Sequence, residues 1–196
     1  MRQDTWSLGG GGLALWFTGL PGSGKSTLSV AVARELEQRD SRLVTMLDGD
    51  VVRRILSRGV GFSRTERGDN VRRIGFAASL VVRHGGIVII AAVSPYRDVR
   101  AEVRTLIEAE RGHFVEIHMD TPFSECVARD PKGMYAAALD GRLPLFTGVD
   151  DPYEKPLSPD LRIPTLLYNL PAARDLVLGF LDEHHYLVKT GRVGIR

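Results

Sequence analysis

The residues best suited to chemistry begin in a glycine-rich turn. Gly19-Leu20-Pro21-Gly22-Ser23-Gly24-Lys25-Ser26 fits G-x-x-x-x-G-K-[ST], directly after an apolar run and directly before an amphipathic one. Glycines at these places let the backbone curl so that its amides point inward at phosphate oxygens, and the N-terminus of the following helix adds partial positive charge. In such a loop Lys25 reaches the β- and γ-phosphates of a nucleoside triphosphate and the Ser26 hydroxyl is placed to ligate Mg²⁺, with Gly19, Gly22, Ser23, Gly24 and Thr27 completing the cradle. A second group, Asp48-Gly49-Asp50, follows the next apolar run, so both carboxylates emerge at the edge that carries the loop. A carboxylate there can organise Mg²⁺ or accept a proton from an attacking hydroxyl. Asp-Gly is also a common turn dipeptide, and its place opposite a phosphate loop is what favours chemistry. Arg53 follows Asp50 by three residues and so shares its helix face. Two acids and a base converging here suit a hydroxyl acceptor that is itself anionic.

Alternating strands and helices must position these groups. Residues 13–18, 43–47, 87–93 and 114–119 read as strands, the third apolar throughout, as in a strand buried on both faces of a parallel sheet. Residues 26–38, 50–57, 69–84 and 98–110 read as helices; Ser63 with Glu66 has the form of a capping box, which draws the start of the third helix toward Ser63. Thr121-Pro122 reads as a cap followed by proline at the first helical position of a helix through Arg129. The alternation predicts an α/β fold: a three-layer α/β/α arrangement around a mainly parallel central sheet, with right-handed crossovers and ligands beyond the carboxyl ends of the strands. Residues 130–164, rich in Pro, Gly and Asp, read as a short helix and a cover loop, with a lid at about 131–160, and residues 171–184 as a last amphipathic helix. Residues 13–189 form one domain in this reading, between a loose lead-in at 1–12 and a loose tail at 190–196.

Composition excludes several classes. A chain of 196 residues is about one domain long, and 43% hydrophobic with 26% charged residues is ordinary for a globular protein and wrong for a disordered one. The longest strongly apolar run, 87–93, falls far short of the ~20 residues of a spanning helix, so no membrane is expected. The single cysteine, Cys126, allows no internal disulfide and reads as a small buried residue. No basic stretch followed by an apolar one opens the chain, so a cytoplasmic location is expected. A net charge of +2, from 26 basic and 24 acidic residues, argues against a nucleic-acid binder. The basic residues are nevertheless 22 arginines against four lysines, with seven of the arginines between Arg53 and Arg73. Such a run is either a solvated helix face or a pocket for a small polyanion, because planar guanidinium groups grip phosphate in a bidentate way. Trp16 reads as core, and His184-His185 as a helix end.

Five blocks in order resemble the adenylyl-sulfate kinase (APS kinase) family. Leu47-Asp48-Gly49-Asp50-Val51-Val52-Arg53 resembles its L-D-G-D-x-[IV]-R, and Gly61-Phe62-Ser63 with Arg67, Asp69-Asn70 and Arg72-Arg73-Ile74-Gly75 resembles its G-F-S-x-x-x-R-x-E-N-[IV]-R-R-I-G. Ser94-Pro95-Tyr96-Arg97 matches a third element, Cys126-x-x-Arg129-Asp130-x-Lys132-Gly133-Met134-Tyr135 a fourth, and residues 146–154 (Phe-Thr-Gly-Val-Asp-Asp-Pro-Tyr-Glu) a fifth. The resemblance implies a P-loop kinase that uses ATP with Mg²⁺ and transfers the γ-phosphoryl group to the ribose 3′-hydroxyl of adenylyl sulfate. By that similarity Asp48 is the base or the Mg²⁺-organising acid, and Asp50, Arg53, Arg67 and Asn70 hold the acceptor nucleotide. Phe62 and Phe146 sandwich its adenine, Val93 and Ser94 line its pocket, and Arg129 lies against the adenine of ATP. Ser94 has two family-level readings, a phosphoserine intermediate or a pocket residue; phosphoryl transfer needs mainly positioning and charge neutralisation, which favours the second. Residues 150–154 would close over the site and exclude water. A homodimer and functional coupling to an ATP sulfurylase are further expectations of the resemblance.

The pattern is broken at several places. Pro144 stands where the family usually has lysine, two residues before the lid phenylalanine, and Arg142 is the cation near enough to replace it. Val51 replaces a polar residue, Ser57 an asparagine, and residues 136–139 are more apolar than the family's basic stretch. All these changes fall on the acceptor side. They leave open a sister kinase for another nucleotide-linked anion, or an ATP-binding homologue with weak catalysis.

Overall fold

Hydrophobic alternation along the first strand sets the architecture. In β1 (Leu13–Thr18), Leu13, Leu15 and Phe17 join one buried cluster while Ala14 and Trp16 join another, so the strand is covered on both faces. The computed structural model describes residues 11–188. Within them β1, β2 (Val44–Asp48), β3 (Ile87–Ala91), β4 (His113–Asp120) and β5 (Leu161–Pro164) form one sheet in the order β2-β3-β1-β4-β5, with every pair parallel. Helices α1 (Lys25–Arg39), α2 (Gly49–Ile55), α3 (Arg64–Arg83), α4 (Arg97–Glu108), α5 (Phe123–Arg129), α6 (Met134–Leu139) and α7 (Leu170–Glu183) connect and cover it.

One layer packs Leu28, Val32 and Leu36 of α1 with Val177, Leu178 and Leu181 of α7 on one face of the sheet. The other packs Ile74, Ala78 and Val82 of α3 with Val99, Val103 and Ile107 of α4 around Trp16 and Phe114, whose ring centroids are 5.7 Å apart. Each fully buried aliphatic side chain of this kind stabilises the fold by about 1.5–3 kcal/mol. A third, smaller cluster of Leu20, Cys126, Tyr135, Ala138 and Phe146 roofs one end of the molecule. It explains why residues 136–139 are apolar: they form α6, and Ala138 packs under the roof.

The chain leaves β1 for β2 by passing over β3, and leaves β3 for β4 by passing over β1, so the crossovers diverge at the β1–β3 boundary. A crevice opens at the carboxyl edge where such a sheet reverses direction. The three-layer α/β fold is the one expected. Strand and helix bounds move by one to a few residues, and α3 starts at Arg64 under the Ser63–Glu66 capping box. Two expectations fail. β5 lies inside the stretch read as loop, because four residues ending in proline at a sheet edge carry almost no pattern. Thr121 does not cap α5, whose preceding residue is Pro122; the buried Thr121 hydroxyl donates instead to Ser23 O (2.9 Å) and pairs with Thr165 Oγ1 (2.7 Å), tying the glycine-rich loop to the β5 edge. Residues 1–10 of the lead-in expected at 1–12, and the tail expected at 190–196, lie outside the described residues.

Candidate active site

The glycine-rich loop joins β1 to α1 at the crevice. Gly24 precedes α1 with φ +94°, a left-handed conformation that side chains disfavour. At Gly19, φ +153°, a Cβ would come within 2.8 Å of Ser23 Oγ and 2.9 Å of Met119 O. Lys25 Nζ lies within the loop, donating to Gly19 O (2.9 Å), Leu20 O (2.8 Å) and Ser23 Oγ (3.3 Å). Ser26 Oγ donates to Asp48 Oδ2 at 2.8 Å, which joins the start of α1 to the end of β2 across the crevice. A hydroxyl and a carboxylate, both hard oxygen donors, side by side at a phosphate loop suit Mg²⁺, which is held by one or two such groups plus substrate phosphates rather than by an all-protein cage. Among the described residues no cluster of three or more His, Cys, Asp or Glu offers a different kind of metal site.

The crevice is a cavity of about 650 Å³. Gly22, Gly24, Lys25, Ser26 and Thr27 line it on the loop side, with Asp48 between and Arg129 at the roof. Arg53, Phe62, Arg67, Asn70, Val93 and Ser94 line the opposite wall, and Phe146 closes it from above. Gly19 and Ser23 lie behind the loop rather than on the cavity surface, and Asp50 lies at the start of α2.

Of the seven clustered arginines, two face the cavity. Arg53 donates to Val60 O (3.0 Å) and Gly61 O (3.1 Å), with its guanidinium 4.4 Å from the Phe62 ring. Arg67 donates to Phe62 O (2.9 Å) and to Leu145 O, and its guanidinium is 5.2 Å from the same ring. Arg64 and Arg72 are spent on ion pairs with Asp98, Glu154, Asp69 and Glu102, and Arg73 donates to Leu56 O. Asn70 is buried, and its Oδ1 has no hydrogen-bond partner in the protein. A buried acceptor without a donor is costly unless something else supplies one.

The sequence profile of the adenylylsulphate kinase family matches residues 11–164. The chain belongs to that family. It is 46% identical over 176 residues to the adenylyl-sulfate kinase of Gloeothece citriformis, covering 90% of this chain and 97% of the relative. Its fold matches the Mycobacterium tuberculosis APS kinase CysC, solved in complex with AMPPNP and APS, with a TM-score of 0.83 and 38% identity over 89% of this chain and 99% of that one. It also matches the hexameric APS kinase from Thiobacillus denitrificans, with a TM-score of 0.72 and 40% identity over 91% of this chain and 30% of that one.

Two family-derived expectations are corrected. Arg142 does not replace the missing lysine: it pairs with Asp140 (2.8 Å) in solvent, while Pro144 itself lines the cavity. Residues 150–154 do not cover the cavity either; the roof is built from 131–132, 134–135 and 143–147. The 150–154 stretch is instead bolted to the surrounding elements. Asp151 accepts from Tyr96 Oη (2.8 Å), Glu154 accepts from Arg97 N (2.9 Å), and Tyr153 Oη meets Thr18 Oγ1 (3.0 Å). Burial pushes the Tyr153 hydroxyl up to about 12 and, with Asp151 beside it, the Tyr96 hydroxyl to about 12, so both stay protonated and able to donate. The Tyr153 ring stacks 6.1 Å from that of His118, which burial holds down to about 4 despite Asp120 nearby.

Sequence reasoning missed Lys132, Tyr135 and Leu143 as lining residues, although Lys132 and Tyr135 sit in the fourth block. Val51 is exposed on α2 and Ser57 is buried with its hydroxyl unpartnered; neither lines the cavity. Cys126 and Trp16 are fully buried, as expected.

Proposed function

We propose that this chain transfers the γ-phosphoryl group of ATP to the 3′-hydroxyl of adenylyl sulfate, giving 3′-phosphoadenylyl sulfate. The observation that carries the reading is the Ser26–Asp48 hydrogen bond, which puts a phosphate loop and a carboxylate in one cavity whose far wall holds Arg53, Arg67 and the unpartnered Asn70 Oδ1. The loop amides and Lys25 would grip the β- and γ-phosphates, and Arg129 would flank the adenine of ATP. Ser26 and Asp48 would hold Mg²⁺, which when bound neutralises charge on the phosphates. Asp48 would also orient the attacking hydroxyl and accept its proton, while Asp50, Arg53, Arg67 and Asn70 fix the acceptor and Phe62 and Phe146 flank its base. Val93 and Ser94 would form the floor under its ribose and phosphate. Transfer is direct in this reading, because both nucleotides share one cavity and effective positioning replaces a covalent step.

A homodimer belongs to the same reading. Leu56, just past α2, and Phe76 and Leu80 of α3 form an exposed apolar groove of the kind a second copy covers. So do a cytoplasmic location and coupling to an ATP sulfurylase that supplies the acceptor; among the described residues no helix is long and apolar enough to cross a membrane.

The test is ADP release from Mg²⁺-ATP by the purified chain, with and without APS and with a panel of other nucleotide-linked anions. APS-dependent release that exceeds release with every other acceptor is the expected result. Tight ATP binding with a better acceptor than APS would make Pro144 the mark of a sister kinase.

A further inference from the structure

A buried arginine outside the cavity is used by nothing described so far. Arg100, on α4, is 3% exposed and does not line the crevice. Its Nε donates to Glu116 Oε1 on β4 at 2.6 Å, its Nη1 to Ser94 O at 2.6 Å and its Nη2 to Glu154 O at 2.8 Å. The guanidinium carbon also lies 5.9 Å from the Tyr153 ring centroid. One rigid planar group therefore spans three segments far apart in sequence: a core strand, the cavity wall after β3, and the end of the bolted 150–154 stretch.

Ser94 is the member of that set that needs holding. Its φ of +46° is left-handed, which a residue with a side chain disfavours, and it precedes Pro95, which biases it further toward extended backbone. Such a conformation persists only where the surroundings over-determine it. Two contacts do so: Trp16 Nε1 donates to Ser94 Oγ at 3.0 Å, and Arg100 takes the carbonyl. Pro95 O in turn accepts from Glu154 N at 2.8 Å, so the wall and the bolted stretch form one unit around the guanidinium.

We propose that Arg100 is a positioning residue for the acceptor: it fixes the Ser94 wall by gripping the Ser94 and Glu154 carbonyls on one fork, with Glu116 holding the fork in place. The proposal rests on the reading of this wall as the acceptor side. A buried ion pair by itself is weak evidence for stability, whereas a five-donor planar fork is the one side chain that sets the relative place of two carbonyls. Lysine keeps the charge and loses the fork.

The experiment compares the full chain with Arg100→Lys and with the double variant Arg100→Met/Glu116→Gln, which removes both buried charges and leaves neither stranded. Steady-state kinetics give KM for APS and for Mg²⁺-ATP separately. The Trp16 indole ¹⁵N–¹H resonance, assigned in a Trp6→Phe background, reports the Ser94 contact without turnover. Both variants are expected to raise KM for APS by about tenfold or more, leave KM for Mg²⁺-ATP within about twofold, and shift the indole resonance. Equal rises in both KM values, or rescue of APS binding by lysine, would reduce Arg100 to a purely structural residue and overturn the proposal. If the unaltered chain shows no APS-dependent turnover, the functional reading falls, and an unmoved indole resonance in both variants would independently refute the grip on Ser94.

Discussion

On the side of the cavity proposed for the phosphate donor, eight contiguous residues from the end of β1 into α1 carry the loop, and the Lys25 bonds close locally on Gly19, Leu20 and Ser23, with Ser26–Asp48 and Thr121–Ser23 as its long-range ties. On the side proposed for the acceptor, Arg53, Asn70, Ser94 and Phe146 arrive from four separate segments, and the Ser94 carbonyl is held by Arg100, a side chain outside the cavity lining, beside the 150–154 stretch that Tyr96 and Tyr153 anchor. A local device stands or falls with its own residues. A distributed one can be loosened from outside, by residues and conditions remote from the chemistry. The departures from the family pattern follow the same division, since Pro144 lies on the distributed side and none lies in the loop.

The largest effect should come from the local device. Under the proposed function Lys25→Ala removes the cation that would meet the developing charge on the transferred group, and loss of one such stabilising contact costs about 10²–10³ in kcat. Steady-state ADP release should therefore fall at least that far, with a modest loss of thermal stability of about 1–3 kcal/mol, because Lys25 leaves buried acceptors at Gly19, Leu20 and Ser23. Activity within tenfold of the unaltered chain would contradict the assignment of the loop.

Acid should act on the distributed side. His118 is buried at the end of β4 under the Tyr153 ring, with Asp120 favouring its charged form and Lys155, Arg100 and Arg162 opposing it. Desolvation dominates, and the imidazole stays neutral down to about pH 4, against an ordinary value near 6.5. The unfolded chain thus takes up a proton that the folded chain refuses. Stability from this group is complete above pH 6.5 and is lost as pH falls toward 4, by about 3 kcal/mol in all. Urea unfolding at pH 7 and at pH 4.5 measures the loss. His118→Phe, which can keep the stack on Tyr153, should flatten that slope, and an unchanged slope would assign the acid sensitivity to other groups.

Legibility from sequence divides along the same line. The strand–loop–helix order around Gly19–Ser26 was readable because contiguous residues carry the whole signal, and the buried run at 87–93 was readable as β3 for the same reason. The Ser63–Glu66 capping box also lies within one turn. Arg100 was unreadable in this sense: an arginine on an amphipathic helix looks solvated until Glu116, Ser94 and Glu154 are seen to converge on it. The arginine run is illegible in a related way: the family pattern singles out Arg53 and Arg67, which line the cavity, but nothing local separates Arg67 from Arg64, which pairs with Asp98 and Glu154. The short edge strand β5 and the Thr121 bond to Ser23 are long-range features of the same kind.

Ser94 gives the smallest expected effect and the finest test of the comparison. Its hydroxyl accepts the Trp16 indole N–H in a buried setting, and among the described residues no carboxylate or imidazole is hydrogen-bonded to it to take its proton. A covalent phosphoserine would need that proton removed and the Trp16 bond broken. A wall residue needs neither, since its backbone is held by Arg100 through the carbonyl, which alanine retains. Ser94→Ala should therefore keep kcat within about tenfold, with a modest loss of stability of about 1–3 kcal/mol from the stranded indole N–H. The relevant measurements are single-turnover phosphoryl transfer and calorimetric APS binding on the same variant. Abolished transfer with unchanged APS affinity would make the hydroxyl a nucleophile and move Ser94 from the distributed wall into the chemistry itself.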